Sequence, residues 1–158
     1  MTPRPPVAPA AAVAPFAISR FGAASFGAAF AAVALAMLAL DAVWLGLLAA
    51  SMYRAGIGHL MLAEPVLPAA LAFYLVYAAG LVTFVVQPQS AGARSRTALM
   101  GALFGCVAYG TYDLSNLATL RGWPVGLALV DIAWGALASA AASVAGRVAA
   151  EWLAGRRR

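Results

Sequence analysis

The sequence has no lysine, one cysteine, one histidine and five acidic residues among its 158 positions. Charged residues make up 9% of the chain, whereas soluble domains carry about 25%. Hydrophobic residues make up 65%, and the mean hydropathy is +0.90. This composition excludes an ordinary soluble domain and is typical of an integral membrane protein.

The missing residue types also exclude several kinds of site. Because Cys106 is the only cysteine, the chain can form neither an internal disulfide nor a cysteine-based metal site. No histidine pair or Glu-x-x-His spacing suggests a metal site, and no P-loop or Gly-x-Ser-x-Gly motif occurs. We therefore predict no metal and no cofactor. The ten basic residues are all arginine and are scattered along the chain, so nucleic acid is not a predicted partner.

The chain is predicted to form one domain between two tails. Five prolines within residues 1–20 remove backbone donors and restrict φ, so this stretch is predicted to be a disordered cytoplasmic tail rich in proline and alanine. Residues 21–150 are predicted to form a single four-helix transmembrane domain. Residues 151–158 are predicted to form a basic cytoplasmic tail.

Four apolar segments account for this domain, and they cover residues 21–50, 65–86, 97–117 and 125–148. Each is long enough to cross a membrane, because about 20 helical residues span a hydrocarbon core of about 30 Å. We therefore predict an all-α fold, a bundle of four transmembrane helices, with residues 51–64 and 87–96 as connections. Gly122 and Pro124 suit the end of one helix and the start of the next. The Gly101-x-x-x-Gly105 pattern indicates a close helix contact.

The arginines predict how the bundle is oriented. With four spans, both termini and the 87–96 connection lie on one side of the membrane. Eight of the ten arginines belong to that side, and only Arg54 and Arg121 belong to the other. Since basic residues concentrate in cytoplasmic segments, both termini are predicted to be cytoplasmic.

Three of the five acidic residues, Asp41, Asp113 and Asp131, lie inside apolar segments. A carboxylate at the centre of a membrane helix costs about 2.5–3.5 kcal/mol on insertion scales, so such residues point to a functional site. The predicted topology brings all three into the outer half of the membrane. We therefore predict one pocket that opens to the outer face.

Aromatic and polar residues accompany these aspartates. Tyr109, Tyr112, Asp113 and Asn116 follow the spacing of a single helix face. The spacing Asp-x-x-Trp occurs twice, and two such pairs are too few to establish an inverted repeat. The predicted ligand-binding residues are Asp41, Trp44, Tyr74, Tyr77, Tyr109, Tyr112, Asp113, Asn116, Asp131 and Trp134.

Each aspartate also has a purely structural interpretation, and the sequence leaves it open. Asp113 could hydrogen-bond a tyrosine or asparagine across helices. Asp131, close to the start of the fourth segment, could stabilise that helix terminus. Asp41 could lie above the hydrocarbon, because the first segment is longer than one crossing requires.

Several strings of the sequence resemble a known family. They are YGTYDLSNLATLRGWP at 109–124, VDIAWG at 130–135 and DAVWLG at 41–46. They resemble a bacterial family of small four-helix integral membrane proteins of unknown function, over about residues 38–135. The resemblance implies the four-helix fold and a location in the bacterial inner (plasma) membrane. It implies no activity.

Three functions remain open at this stage. The favoured hypothesis is a binding or transport protein for a small amphipathic or cationic ligand, with Asp113 and Asp131 as counter-charges. A transporter of only four helices would need a homodimer for a conducting path. The second is a membrane enzyme acting on a lipid, with Asp113 and Asp131 as acid and base. The third is an accessory structural subunit. The predicted partners are therefore the lipid bilayer and a small-molecule or lipid ligand.

Overall fold

A computed structural model describes residues 21–156 of the chain, and every regular element in this part is helical. The α-helices are α1 (Ala23–Val43), α2 (Ala50–Ile57), α3 (Leu67–Leu81), α4 (Arg94–Thr119) and α5 (Val125–Gly155). The tail predicted for residues 1–20 lies outside the described residues. Helix α5 continues past residue 150, so the predicted start of the second tail falls inside a helix.

Two of the helices end in a wider turn. Helix α1 continues as a π-helix over Trp44–Leu48, and α3 continues as one over Val82–Val86. In these segments a backbone N–H bonds to the carbonyl oxygen five residues earlier. The bonds run from Ala49 N to Trp44 O at 2.7 Å and from Gln87 N to Val82 O at 2.9 Å. Such segments are rare and often occur at functional sites, because the extra residue per turn redirects the side chains around it.

Three stretches are long and apolar enough to cross a membrane: Ala23–Leu48, Leu67–Val86 and Val125–Gly155. Helices suit such sequences, because a chain in hydrocarbon must satisfy its own backbone hydrogen bonds. The prediction of an all-α membrane protein is therefore confirmed. Helix α4, with 26 residues, is also long enough, but it carries more polar side chains than these three stretches.

Helix α5 lies at the centre of the bundle and packs against both α1 and α4. Its contacts show that α1 runs antiparallel to it. Gly146, late in α5, packs on Val33, and Trp134, early in α5, bonds to Asp41 near the end of α1. Helix α4 is antiparallel to α5 as well, since Gly101 lies against Ser143. Helices α1 and α4 therefore run in the same direction.

The contact between α4 and α5 depends on small residues. A Cβ atom on Gly105 would lie 2.1 Å from the carbonyl oxygen of Gly135. A Cβ atom on Gly101 would lie 2.6 Å from Ser143 Oγ. The two backbones therefore approach as closely as glycine permits, and the Gly101-x-x-x-Gly105 pattern packs within the chain.

One end of the bundle is organised by a buried arginine, and we call it the Arg147 end. It comprises the start of α1, the turn at 87–93 and the end of α5, and Phe21 N bonds to Gln87 Oε1 there at 2.8 Å. Arg147 is only 5% exposed. Its guanidinium donates hydrogen bonds to the carbonyl oxygens of Gln89, Ser90 and Gly92, to Thr97 Oγ1 and to Glu151 Oε1.

Helix α2 covers the opposite end, which we call the Trp123 end. The sequence predicted only a connection here, whereas Ala50–Ile57 is helical. Gly122 adopts φ of +75° in the tight turn between α4 and α5, as predicted for a helix stop. Gly56 of α2 packs so closely on this turn that a Cβ atom there would lie 3.0 Å from Pro124 Cγ. Helix α2 thereby directs its side chains toward the start of α5.

Candidate functional site

A cavity of about 590 Å³ lies between the helices, in the half of the bundle nearer the Trp123 end. Residues from all five α-helices contribute to its lining. Eight of the ten predicted site residues line it: Asp41, Trp44, Tyr74, Tyr77, Tyr109, Tyr112, Asp131 and Trp134. Its volume is that of a typical small-molecule site.

Asp41 joins three helices at this cavity. It lies in the last turn of α1, just before the π-helical segment, and is 6% exposed. Trp134 of α5 donates from Nε1 to Asp41 Oδ1 at 3.2 Å. Tyr74 of α3 donates from its hydroxyl to Asp41 Oδ2 at 3.0 Å. Each carboxylate oxygen therefore has a neutral hydrogen-bond donor.

Asp131 occupies the corresponding position on α5 and is 3% exposed. Its Oδ1 accepts a hydrogen bond from the hydroxyl of Tyr53, which α2 carries across the end of the bundle. Burial, and then the hydrogen bond to Asp131, raise the pKa of Tyr53. The hydroxyl therefore keeps its proton and serves as a donor.

Two stacked indoles connect these aspartates. The rings of Trp44 and Trp134 are nearly parallel, at 5°, with centroids 4.4 Å apart. Each tryptophan follows an aspartate of its own helix by three residues, and Trp134 bonds to the aspartate of the other helix. Trp44 lies beside Asp131 in the same crossed manner. The two Asp-x-x-Trp pairs thus meet where the antiparallel helices α1 and α5 cross.

Only one of the two indole N–H groups, that of Trp134, has a hydrogen-bond acceptor among residues 21–156. Trp44 Nε1 is buried and has no hydrogen-bond partner among residues 21–156. The N–H group lies near Asp131 but outside hydrogen-bonding geometry.

Aromatic rings form most of the remaining wall. Tyr77 and Tyr109 meet edge to face with centroids 6.3 Å apart, and Tyr77 shares a hydrogen bond of 2.7 Å with Ser139 Oγ. The ring of Tyr109 fits against Gly135, where a Cβ atom would lie 2.2 Å from Tyr109 Cγ. These contacts form the wall of the cavity against α5.

The charge of the cavity is of one sign. Two carboxylates line it, and within the described part of the chain no basic side chain does. Eight of the thirteen lining residues are aromatic, and the faces of aromatic rings attract cations. Residues 21–156 contain no group of three or more metal-binding side chains. Within the described residues, the cavity therefore combines two carboxyl groups with aromatic ring faces and has no cluster of metal-binding side chains.

Asp113 and Asn116 do not line the cavity. Asp113 is completely buried, and neither of its carboxylate oxygens has a hydrogen-bond partner among the described residues. Trp123 Nε1, which is also unpartnered in that range, lies beside it. Asn116 is half-buried on the next turn of α4. Two of the three aspartates thus share the cavity, and the third lies outside its lining.

Sequence reasoning missed two aromatic residues of the lining, Tyr53 and Phe73. Tyr53 lies in a segment that was predicted only as a connection, so its direction relative to the bundle was not predicted. Phe73 precedes Tyr77 by one helical turn on α3, and this spacing could have identified it.

Comparison with known proteins gives one match. The family model described as "Predicted membrane protein (DUF2177)" matches residues 26–148, which is most of the chain and includes the whole cavity lining. No curated protein and no solved structure matches the chain. The match carries no activity, so the function has to be argued from the site.

Proposed function

The chain belongs to the DUF2177 family of predicted membrane proteins, and we propose that it binds a small cationic or amphipathic ligand in the cavity between its helices. The observation that carries the proposal is the imbalance of charge in the cavity. Asp41 and Asp131 are buried and hydrogen-bonded to neutral donors, yet no basic side chain in the described part of the lining neutralises them. Buried charges are normally paired, and a bound cation would supply the missing partner.

The aromatic wall supports the same class of ligand. Cation–π contacts contribute about 0.5–2 kcal/mol each, depending on how far the cation is removed from water. The hydroxyl and indole donors leave the carboxylate charge in place, so the cavity attracts a cation without a metal-like ligand set. An ammonium or quaternary ammonium group fits this combination of carboxylates and ring faces.

The proposal includes the membrane arrangement. We infer that α4 is a fourth span of a domain covering residues 21–150, because it runs beside α5 for its full length. We also infer that both termini are cytoplasmic in a bacterial inner membrane, because eight of ten arginines then lie inside. The Trp123 end and its cavity then face the outside.

Cysteine labelling in intact cells tests the orientation. In a Cys106→Ser background, Arg121→Cys reports the Trp123 end and Ala91→Cys reports the Arg147 end, and both positions are exposed. A membrane-impermeant maleimide should label Arg121→Cys in intact cells and Ala91→Cys only after lysis. The opposite pattern would place the cavity on the cytoplasmic side.

Calorimetric titration of the purified protein with tetramethylammonium tests the binding. Wild type should bind saturably, and Asp41→Asn should weaken binding at least tenfold, which corresponds to about 1.4 kcal/mol. Asp113→Asn is the matched control, because it removes a buried carboxylate that does not line the cavity. Equal losses in both variants, or no saturable binding by wild type, would refute the proposal.

A further inference from the structure

A second depression adjoins the cavity on the exposed side of α3 and α4, and we call it the α3–α4 groove. The groove has a volume of about 400 Å³, and it shares Tyr77 and Ala108 with the cavity. Its other lining residues are Val76, Ala79, Gly80, Thr83, Phe84 and Phe104. The groove therefore begins where the cavity ends and extends toward the Arg147 end.

The groove exists because α3 and α4 meet through rings rather than through backbone. Phe104 of α4 contacts Tyr77 edge to face, with centroids 5.6 Å apart. The same ring lies over Gly80, where a Cβ atom would come within 3.1 Å of Phe104 Cζ. The Phe104 ring thus forms the floor, and the missing side chain at Gly80 leaves room for it.

The lining of the groove is almost entirely hydrocarbon. Thr83 carries the one hydroxyl among the six residues that the groove does not share with the cavity. Val76 and Phe84 are 74% and 70% exposed, so both edges of the groove border the space that lipid would occupy. Tyr74 at the cavity, on α3, and Phe84 at the far end, in the π-helical segment that continues α3, are ten residues apart, which spans no more than about 15 Å.

A cavity for a cation beside the apolar α3–α4 groove fits a molecule with a cationic head and an alkyl chain. We propose that the ligand is a single-chain cationic amphiphile, with its ammonium head in the cavity and its alkyl chain in the α3–α4 groove. This inference rests on the proposed function, because the head must bind before the tail is aligned. One groove accommodates one chain. A phosphate-bearing head is disfavoured, because no basic side chain lines the described cavity to meet it.

Two probes separate the head from the tail. Tetramethylammonium presents the head alone, and dodecyltrimethylammonium adds one alkyl chain. Thr83→Trp should fill the groove without disturbing the fold, because Thr83 is exposed on α3. Leu75→Trp is the matched control, since Leu75 is 46% exposed on the same helix and lines neither the cavity nor the groove.

Competition binding to the purified protein in one fixed detergent gives the readout. Thr83→Trp should weaken dodecyltrimethylammonium at least tenfold and leave tetramethylammonium unchanged, whereas Leu75→Trp should change neither. Asp41→Asn should weaken both probes. Ala79→Phe is a second groove-filling variant, and its thermal melting curve together with that of Thr83→Trp checks the fold.

The outcomes distinguish the two proposals. If wild type binds tetramethylammonium but groove-filling variants bind the alkyl probe normally, the groove does not hold the chain and this inference fails alone. Equal weakening of both probes by Thr83→Trp would also overturn it, because the variant would then be acting on the cavity. If wild type binds neither probe, the proposed function itself fails.

Discussion

Toward the Arg147 end, α4 and α5 touch through Gly101, Gly105 and Ser143, whereas toward the Trp123 end the Tyr109 ring lies between them against Gly135. Helices α4 and α5 therefore pack against each other in different ways in the two halves of the bundle. Small residues allow the backbones to meet and leave no space between them. Large rings leave space between helices, because rigid planar groups from several helices cannot fill it completely. The cavity is the result of this change in side-chain size along α4 and α5.

The two halves also differ in the hydrogen-bond partners of their buried charged residues. Arg147 has five acceptors, and one of them is the carboxylate of Glu151. Asp41 and Asp131 have only tyrosine and tryptophan donors within the described residues. The Arg147 end therefore includes a paired counter-charge, whereas no described residue of the cavity lining supplies one. This difference is the basis on which we propose the cavity, rather than the buried arginine, as the ligand site.

The largest effect is expected from removing the charge that completes the Arg147 end. Arg147→Met leaves part-buried carbonyl oxygens without their donor and removes one of the two arginines that pair with Glu151, so it should lower the free energy of unfolding by about 3 kcal/mol. Arg94→Met is the control, because Arg94 is 59% exposed and also pairs with Glu151. Its loss should cost less than about 1 kcal/mol. Denaturation in detergent measures both, and equal effects would contradict the comparison.

A somewhat smaller effect is expected from the glycine contact. Gly105→Ala brings a Cβ atom against backbone and should destabilise the protein by about 2–3 kcal/mol, a cost typical of overpacking. Gly110→Ala on the same helix should be neutral or stabilising, because a Cβ atom there meets nothing within 4 Å and alanine favours helix. Thermal melting compares the pair. A neutral Gly105→Ala would mean that the two helices can separate freely.

The smallest effect is expected at Asp113. Its carboxylate is buried without a hydrogen-bond partner among residues 21–156, so replacing it removes a cost rather than a contact. Asp113→Asn should change the free energy of unfolding by no more than about 1 kcal/mol, in the stabilising direction. The same melting assay measures it. A strong loss of stability would show that this carboxylate is paired, and the contrast between the two ends would then weaken.

Much of the cavity could be predicted from the sequence because its residues are costly in a membrane. Asp41 and Asp131 are conspicuous in apolar segments, and the repeated Asp-x-x-Trp spacing marks the two tryptophans that stack. Asp113 is equally conspicuous, but it lies outside the lining. Its neighbour Tyr112 does line the cavity, since adjacent helical residues point about 100° apart. The free-energy cost of placing a carboxylate in a membrane helix marks the residue as a candidate functional residue. It does not indicate which way the side chain points.

Other parts of the site could not be read from local patterns. Tyr53 reaches Asp131 because α2 folds back across the end of the bundle, whereas residues 51–64 were predicted only as a connection. The π-helical turn at Trp44–Leu48, which begins three residues after Asp41, was not predicted either. Both features depend on contacts between distant segments, which a single sequence does not display.

The sequence by itself determined that the chain is a helical membrane protein, because only helices satisfy the backbone in long apolar segments. It also determined that buried aspartates are the unusual residues. The tertiary structure decided which aspartates share a cavity, because that depends on helix rotation and on which helices pack against α5. It also decided that Arg147 has a carboxylate among its partners, whereas the described partners of Asp41 are neutral donors. Charge balance is a property of neighbours in space, and only the folded chain defines them.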